Sequence, residues 1–189
     1  KEEEKTELVD AVIITPDVFG DDRGWFMETY SKNTLKGVLD MEFVQDNQSY
    51  SSQKGIIRGL HCQLEPHCQS KLIRCTKGAI YDVIVDIRKG SPTYGQHIAI
   101  ELSEDNHRQF FVPRGFAHGF AVLSEVAIFQ YKCDNFYASQ ADGGISIKDD
   151  TLGINWQIPV EKTLLSEKDM KHPLLEDFDS PFDFALPLY

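Results

Sequence analysis

Apolar and polar residues alternate with a period of two through the middle of the chain. Lys71-Leu-Ile-Arg-Cys-Thr76 reads as a short strand closed by Lys77-Gly78, and Ala79-Ile-Tyr-Asp-Val-Ile-Val-Asp-Ile87 as a longer, more buried one. The pattern continues through Gln96–Leu102, Gln109–Val112, Phe116–Leu123 and Ala127–Cys133. Turn signals separate these runs at Lys77-Gly78, Lys89-Gly-Ser-Pro92, Pro113-Arg-Gly115 and Ser124-Glu125. Short strands recurring every ~8 to 12 residues, rich in β-branched and aromatic side chains, predict a sandwich or barrel. Helix is scarce. Ser31–Gly37 is expected to form a short helix capped by Ser31, and Ser166–Lys171 a single helical turn. No repeat or linker interrupts the chain, so residues 1–189 read as one domain. Residues 1–10 form a charged extension. Residues 176–189 form a tail whose Phe178, Phe182, Phe184, Leu186 and Leu188 are expected to pack on the domain.

Composition and charge narrow the function. A chain of 189 residues with 41% apolar content can bury a real core. No run approaches the ~18 to 20 apolar residues of a membrane helix. The start, KEEEKTELVD, lacks an apolar signal core, and a cytoplasmic location is expected. A formal net charge of −11 argues against a general nucleic-acid binder. It leaves room for an anionic ligand in a local Arg/Lys pocket, because local field outweighs net charge there. Cys62, Cys68, Cys75 and Cys133 form no CxxC pair, which speaks against a zinc ribbon and for reduced thiols.

The chemistry centres on Arg58-Gly-Leu-His-Cys-Gln63. His61 sits in an apolar, β-leaning run and has three readings: a hydrogen-bonded core residue, a metal ligand or a general base. Val112-Pro-Arg-Gly-Phe-Ala-His-Gly-Phe120 has the look of a second cupin motif, which points a His into a β-barrel. A metal-binding cupin also carries His-x-His in its first motif. Here His61 is followed by Cys62 and Gln63, so the ligand count falls short, and no metal is expected. General acid–base chemistry gains from the neighbours. Residues an even number apart share a strand face, which puts His61 beside Gln63, and Arg58, Lys71 and Arg74 add positive charge nearby. Like charges oppose imidazole protonation, leaving a neutral base at pH 7.

Eight segments in order resemble the dTDP-4-dehydrorhamnose 3,5-epimerase family. They are Phe19–Tyr30, Phe43–Asn47, Ile57–His61, Lys71–Arg74, Tyr81–Arg88, Val112–Phe120, Gln130–Lys132 and Leu165–Asp169. The resemblance implies an all-β, cupin-type jelly-roll barrel or sandwich with a few short helices. It implies His61 as the base beside the sugar keto group, Asp169 as its partner, Tyr131 as the acid on the opposite face and Lys71 at the enolate oxygen. Arg58, Gln63 and His118 would line the sugar pocket. Arg23, Glu28, Gln45, Asp46 and Asn47 would hold the nucleotide diphosphate, part of them across a homodimer. Phe26 and Phe136 would flank the thymine ring, with Asp142 and Lys168 as further contacts. Cys62 replaces the aromatic residue usual after the catalytic His, and Asp142 replaces a common Glu.

That chemistry suits these residue types. A keto group at C4 acidifies the hydrogens on C3 and C5, since the anion spreads onto oxygen as an enolate. Inversion then needs a base on one face, positive charge at the oxygen and an acid on the other face. The sugar supplies its own electron sink, so no cofactor is expected, in keeping with the absence of GxGxxG and Walker signatures. The expected substrate is a dTDP-4-keto-6-deoxyhexose. Inversion at C3 or C5 alone, a metal-dependent cupin enzyme and a silent sugar-nucleotide-binding cupin are the alternatives.

Overall fold

The computed structural model describes residues 1–189. Two antiparallel sheets face each other. The first has six strands in the order β1 (Glu2–Lys5), β2 (Val12–Thr15), β10 (Gln109–Val112), β7 (Lys71–Lys77), β12 (Ala127–Cys133) and β5 (Gln45–Ser51). The second has five, ordered β13 (Asp142–Gly144), β6 (Ile57–Gln63), β11 (Phe116–Val122), β8 (Ala79–Asp86) and β9 (His97–Ser103). A separate hairpin pairs β3 (Val18–Asp21) with β4 (Gly24–Met27). The order is that of a cupin-type sandwich.

Alternation sorts side chains into layers. Ile73, Cys75, Phe110 and Phe129 of the first sheet meet Ile80, Ile84, Phe116, Phe120 and Val122 of the second in the central core. The intervening residues of the second sheet, among them Leu60, Val83, Val85 and Ala117, face outward. There they are covered by the C-terminal third of the chain, including Ile145, Leu152 and Phe182. The outer face of the first sheet is covered by Leu35 and Leu39, which pack on Ile14, Leu72 and Phe111.

Two expectations change and a third holds. Residues 2–5 are an edge strand paired with β2 rather than a bare charged extension. Where a helix over 31–37 was expected, residues 32–38 form consecutive turns. The Ser31 hydroxyl does accept from the Thr34 N–H at 3.2 Å, but one turn is too short to propagate before Gly37. The second short helix is present as α1 (Glu167–Met170), with Ser166 accepting from the Asp169 N–H.

The tail is anchored by Phe182, which is 1% exposed, while its carbonyl accepts from the Lys89 N–H at 2.9 Å. Phe182→Ala is expected to cost about 3–5 kcal/mol, the range for deleting a buried aromatic ring. Urea unfolding of the variant measures this. A loss under ~1 kcal/mol would mark the tail as peripheral to the core.

Candidate active site

Strand β6, between β13 and β11 in the second sheet, carries the site. At its start, Leu164 returns beside it, exchanging hydrogen bonds of 2.9 and 3.0 Å with the backbone of Gly55 and Ile57. This brings α1 under the strand. Asp169, 4% exposed, then accepts from the Gly59 N–H at 3.1 Å and from His61 Nε2 at 2.6 Å. Gly59 is required there. Its φ is +133°, and a Cβ would lie 2.6 Å from the Gly119 Cα of β11.

Burial alone would raise the Asp169 pKa. The hydrogen bonds from His61 and Gly59 outweigh it and hold the carboxyl below its ordinary value. An ionised Asp169 requires the proton on His61 Nε2. His61 Nδ1 is therefore the nitrogen with a free lone pair.

A cavity of about 510 Å³ opens in front of His61. Its opposite wall is the first sheet, where Lys71 and Tyr131 face inward and the Lys71 Nζ stands 5.3 Å from the Tyr131 ring centroid. Burial lowers the Lys71 pKa from its usual value, with Cys133, Cys62 and Asp82 partly opposing the shift. Burial raises the Tyr131 pKa, and hydrogen bonding from Asn47 only partly offsets this, so the phenol keeps its proton at neutral pH. The cavity thus places an imidazole lone pair opposite a protonated phenol, with the Lys71 amine beside them. That arrangement can remove a carbon-bound proton on one face, steady an oxyanion and return a proton on the other.

The remaining expected contacts divide. Arg58, Asp142 and Lys168 line the same cavity, and Lys168 pairs with Asp142 at its mouth. Gln63 also borders it, but its amide is already spent on the protein. Nε2 donates to the His67 and Phe136 carbonyls, and Oε1 accepts from the Ala138 N–H. Gln63 therefore braces the loop. Gln45 does the same, accepting from the Tyr137 N–H at 3.1 Å.

His118 lies opposite His61 in the register but is 5% exposed and borders only a small pocket behind the main cavity. Its Nε2 is bonded to Asp82 at 2.6 Å. Burial disfavours charge on both partners, lowering the His118 pKa and raising that of Asp82. His118 is a support behind the wall and not a lining residue of the main cavity.

Two of the expected nucleotide contacts lie outside this cavity. Asp46 alternates with Gln45 and Asn47, so it faces the other side of β5 and pairs with Lys132 at 3.0 Å. Phe136 is 63% exposed, and the ring lining the cavity belongs to its neighbour Tyr137. Arg23, Phe26 and Glu28 also stand apart from His61. Arg23 pairs with Asp21 in the exposed hairpin, and Phe26 and Glu28 border a different cavity.

The sequence reading passed over His172. Its ring stands edge-on to that of His61, with centroids 5.7 Å apart at 81°, and its Nδ1 lies 4.0 Å from Asp169 Oδ1. His61, Asp169 and His172 are also the group of side chains able to offer a metal three ligand atoms within 4.8 Å of one another. The only available signal was the i, i+3 spacing from Asp169, which on so short a helix carried no weight alone.

The chain as a whole is similar to proteins of one known family. A family model described as dTDP-4-dehydrorhamnose 3,5-epimerase matches residues 5–177. The dTDP-4-dehydrorhamnose 3,5-epimerase of Shigella flexneri is 49% identical over 177 residues, covering 93% of this chain and 96% of that one. The crystal structure of the Elizabethkingia anophelis enzyme of the same name superposes with a TM-score of 0.88 at 48% identity, covering 93% of this chain and 97% of that one. A Legionella pneumophila 3,5-epimerase in complex with dTDP-4-keto-L-rhamnose gives 0.89 at 43% identity, covering 94% of each chain.

Proposed function

The chain belongs to the dTDP-4-dehydrorhamnose 3,5-epimerase family, and from that premise we propose that its cavity inverts C3 and C5 of dTDP-4-keto-6-deoxyglucose through enolate intermediates. One observation carries the reading: the His61–Asp169 pair faces Tyr131 and Lys71 across a single cavity. His61 Nδ1 takes the proton next to the C4 keto group, and the new positive charge on the ring is held by Asp169. Lys71 meets the charge that develops on the C4 oxygen. One such preorganised donor is typically worth about 3 to 4 kcal/mol. Tyr131 returns a proton from the other face, and the centre is inverted. Atoms and electrons balance without an oxidant, because the product is an isomer of the substrate. NMR of the sugar ring after incubation with the enzyme tests the reading, which expects the L-sugar to accumulate.

Lys71 gives this a pH signature. Its ammonium must be charged to meet the oxyanion, and burial lowers its pKa. Activity is therefore expected to fall, as pH rises, at a pH below the ordinary Lys value of about 10.4. Lys71→Arg should move that alkaline limb outward, since a guanidinium keeps its charge. A limb left in place by Lys71→Arg assigns the titration to another group.

The same reading makes the protein a cytoplasmic homodimer. The four cysteines are all buried and unpaired, as suits a reducing compartment. Phe19, Trp25 and Phe26 are 64%, 59% and 69% exposed on the β3–β4 hairpin. A lone two-stranded hairpin is marginal in water, so this one gains most by docking on another copy. Docking of this kind also offers Arg23, Phe26 and Glu28 to the partner's cavity, supplying nucleotide contacts that one chain leaves apart. Sedimentation is expected to give a dimer at micromolar concentration, and a monomer there would count against the shared site.

A further inference from the structure

We propose that His172 is a positioning residue for the reaction: it holds the His61 ring and the Asp169 carboxylate in line while the sugar proton is removed. This rests on the reading of His61 as the base.

His172 follows α1, three residues after Asp169, and its side chain is 9% exposed. The ring meets His61 edge to face, the geometry that aromatic rings prefer. Strand β13 makes room for it. Gly144 pairs with His61 in the sheet register, and a Cβ there would lie 2.8 Å from His172 Cε1 and 2.1 Å from the Leu60 carbonyl oxygen. The strand therefore has no side chain at the spot the imidazole occupies.

Packing alone does not account for a histidine here. His172 Nδ1 is buried and has no hydrogen-bond partner. An unpaired buried polar atom costs about 1–3 kcal/mol, which a leucine of similar bulk would avoid. What the nitrogen does have is Asp169 Oδ1 at 4.0 Å, too far for a hydrogen bond but close enough for a field.

The charged and titratable groups facing the ring are Asp169 and Lys168 of α1 and His61 of β6. Burial pushes the His172 pKa down. Asp169 and a hydrogen bond to the Gly59 backbone oppose that shift, while His61 and Lys168 reinforce it, and the ring stays neutral. The bond to Gly59 takes the single N–H of the neutral ring, so the imidazole acts on the pair through its packed edge and its lack of charge. That edge backs the His61 ring without displacing its 2.6 Å bond to Asp169. A neutral wall also leaves the base free to become an imidazolium, which a lysine or arginine at this position would oppose.

The test uses the full-length protein with His172→Leu, His172→Phe and His61→Asn, assayed on dTDP-4-keto-6-deoxyglucose for kcat, KM and proton exchange, with unfolding followed alongside. His172→Leu fills the volume without an N–H or a flat ring edge. It is expected to fold as stably as the parent, lower kcat about tenfold or more and leave KM nearly unchanged, in the range seen when an orienting partner is lost. His172→Phe restores the flat edge and should recover part of that kcat. A His172→Leu variant at parental kcat, or one whose loss appears in KM alone, overturns the positioning role. A His61→Asn variant that still exchanges overturns the base reading beneath it. A dead His61→Asn beside an unaffected His172→Leu rejects the role of His172 only.

Discussion

His61→Asn is expected to abolish proton exchange at both C3 and C5 while nucleotide binding survives. Asparagine can still donate an N–H toward Asp169, so the buried carboxylate is not orphaned and the fold should persist. It has no lone pair able to take a proton at neutral pH. A positioned general base typically contributes about 10²–10⁴ in rate, and both carbons depend on the same one. Exchange followed by NMR and binding of the nucleotide by calorimetry separate chemistry from recognition. Near-parental exchange in this variant would remove His61 from the mechanism. Loss of both exchange and binding would leave a folding defect as the explanation.

Tyr131→Phe is expected to uncouple proton removal from inversion. The ring packs on Phe129 with centroids 5.1 Å apart and lies beside Lys71, and those contacts need no hydroxyl. The phenol lost is the protonated group facing His61, and burial keeps its pKa above the ordinary value. His61 would still remove a proton and could still return it to the same face. Deuterium should then enter the sugar with retention of configuration, and inverted product should fall by about 10²-fold or more, the low end for a lost acid. Inverted sugar at the parental rate would assign the acid role to another group or to water.

The fold was legible through the long alternating strands of the middle of the chain, while the short apolar β2, VIIT, was not singled out. Gln109–Val112 and Ala127–Cys133 have the bounds that alternation alone predicts; β7, β8 and β11 differ by one residue at one end, and β9 by one residue at each end. Strands without an apolar face went unread. The sequence of β5, QDNQSYS, is polar on both sides, and that of β13, DGG, has almost no side chains. The edge strand β1, EEEK, resembles a solvated run because its charges face water.

The site divides the same way. His61 and Gln63 share a face, as the period of two requires. The 108-residue separation of His61 from Asp169 is set by the return of Leu164 beside β6, a tertiary contact that no local pattern encodes. Family resemblance supplied Asp169, Tyr131 and Lys71. It also named Asp46 and Phe136 as nucleotide contacts, and both lie outside the cavity that His61 faces. His172 lay outside every motif, and only its packing against His61 reveals it.

Incubation of the parental enzyme with dTDP-4-keto-6-deoxyglucose in deuterated water, followed by proton NMR of the sugar ring, tests the enolate mechanism most directly. The C3 and C5 proton signals should both vanish at catalytic rates, with deuterium retained in an inverted product. Exchange confined to one carbon would contradict inversion at both, and inverted product without deuterium at C3 and C5 would contradict the enolate itself.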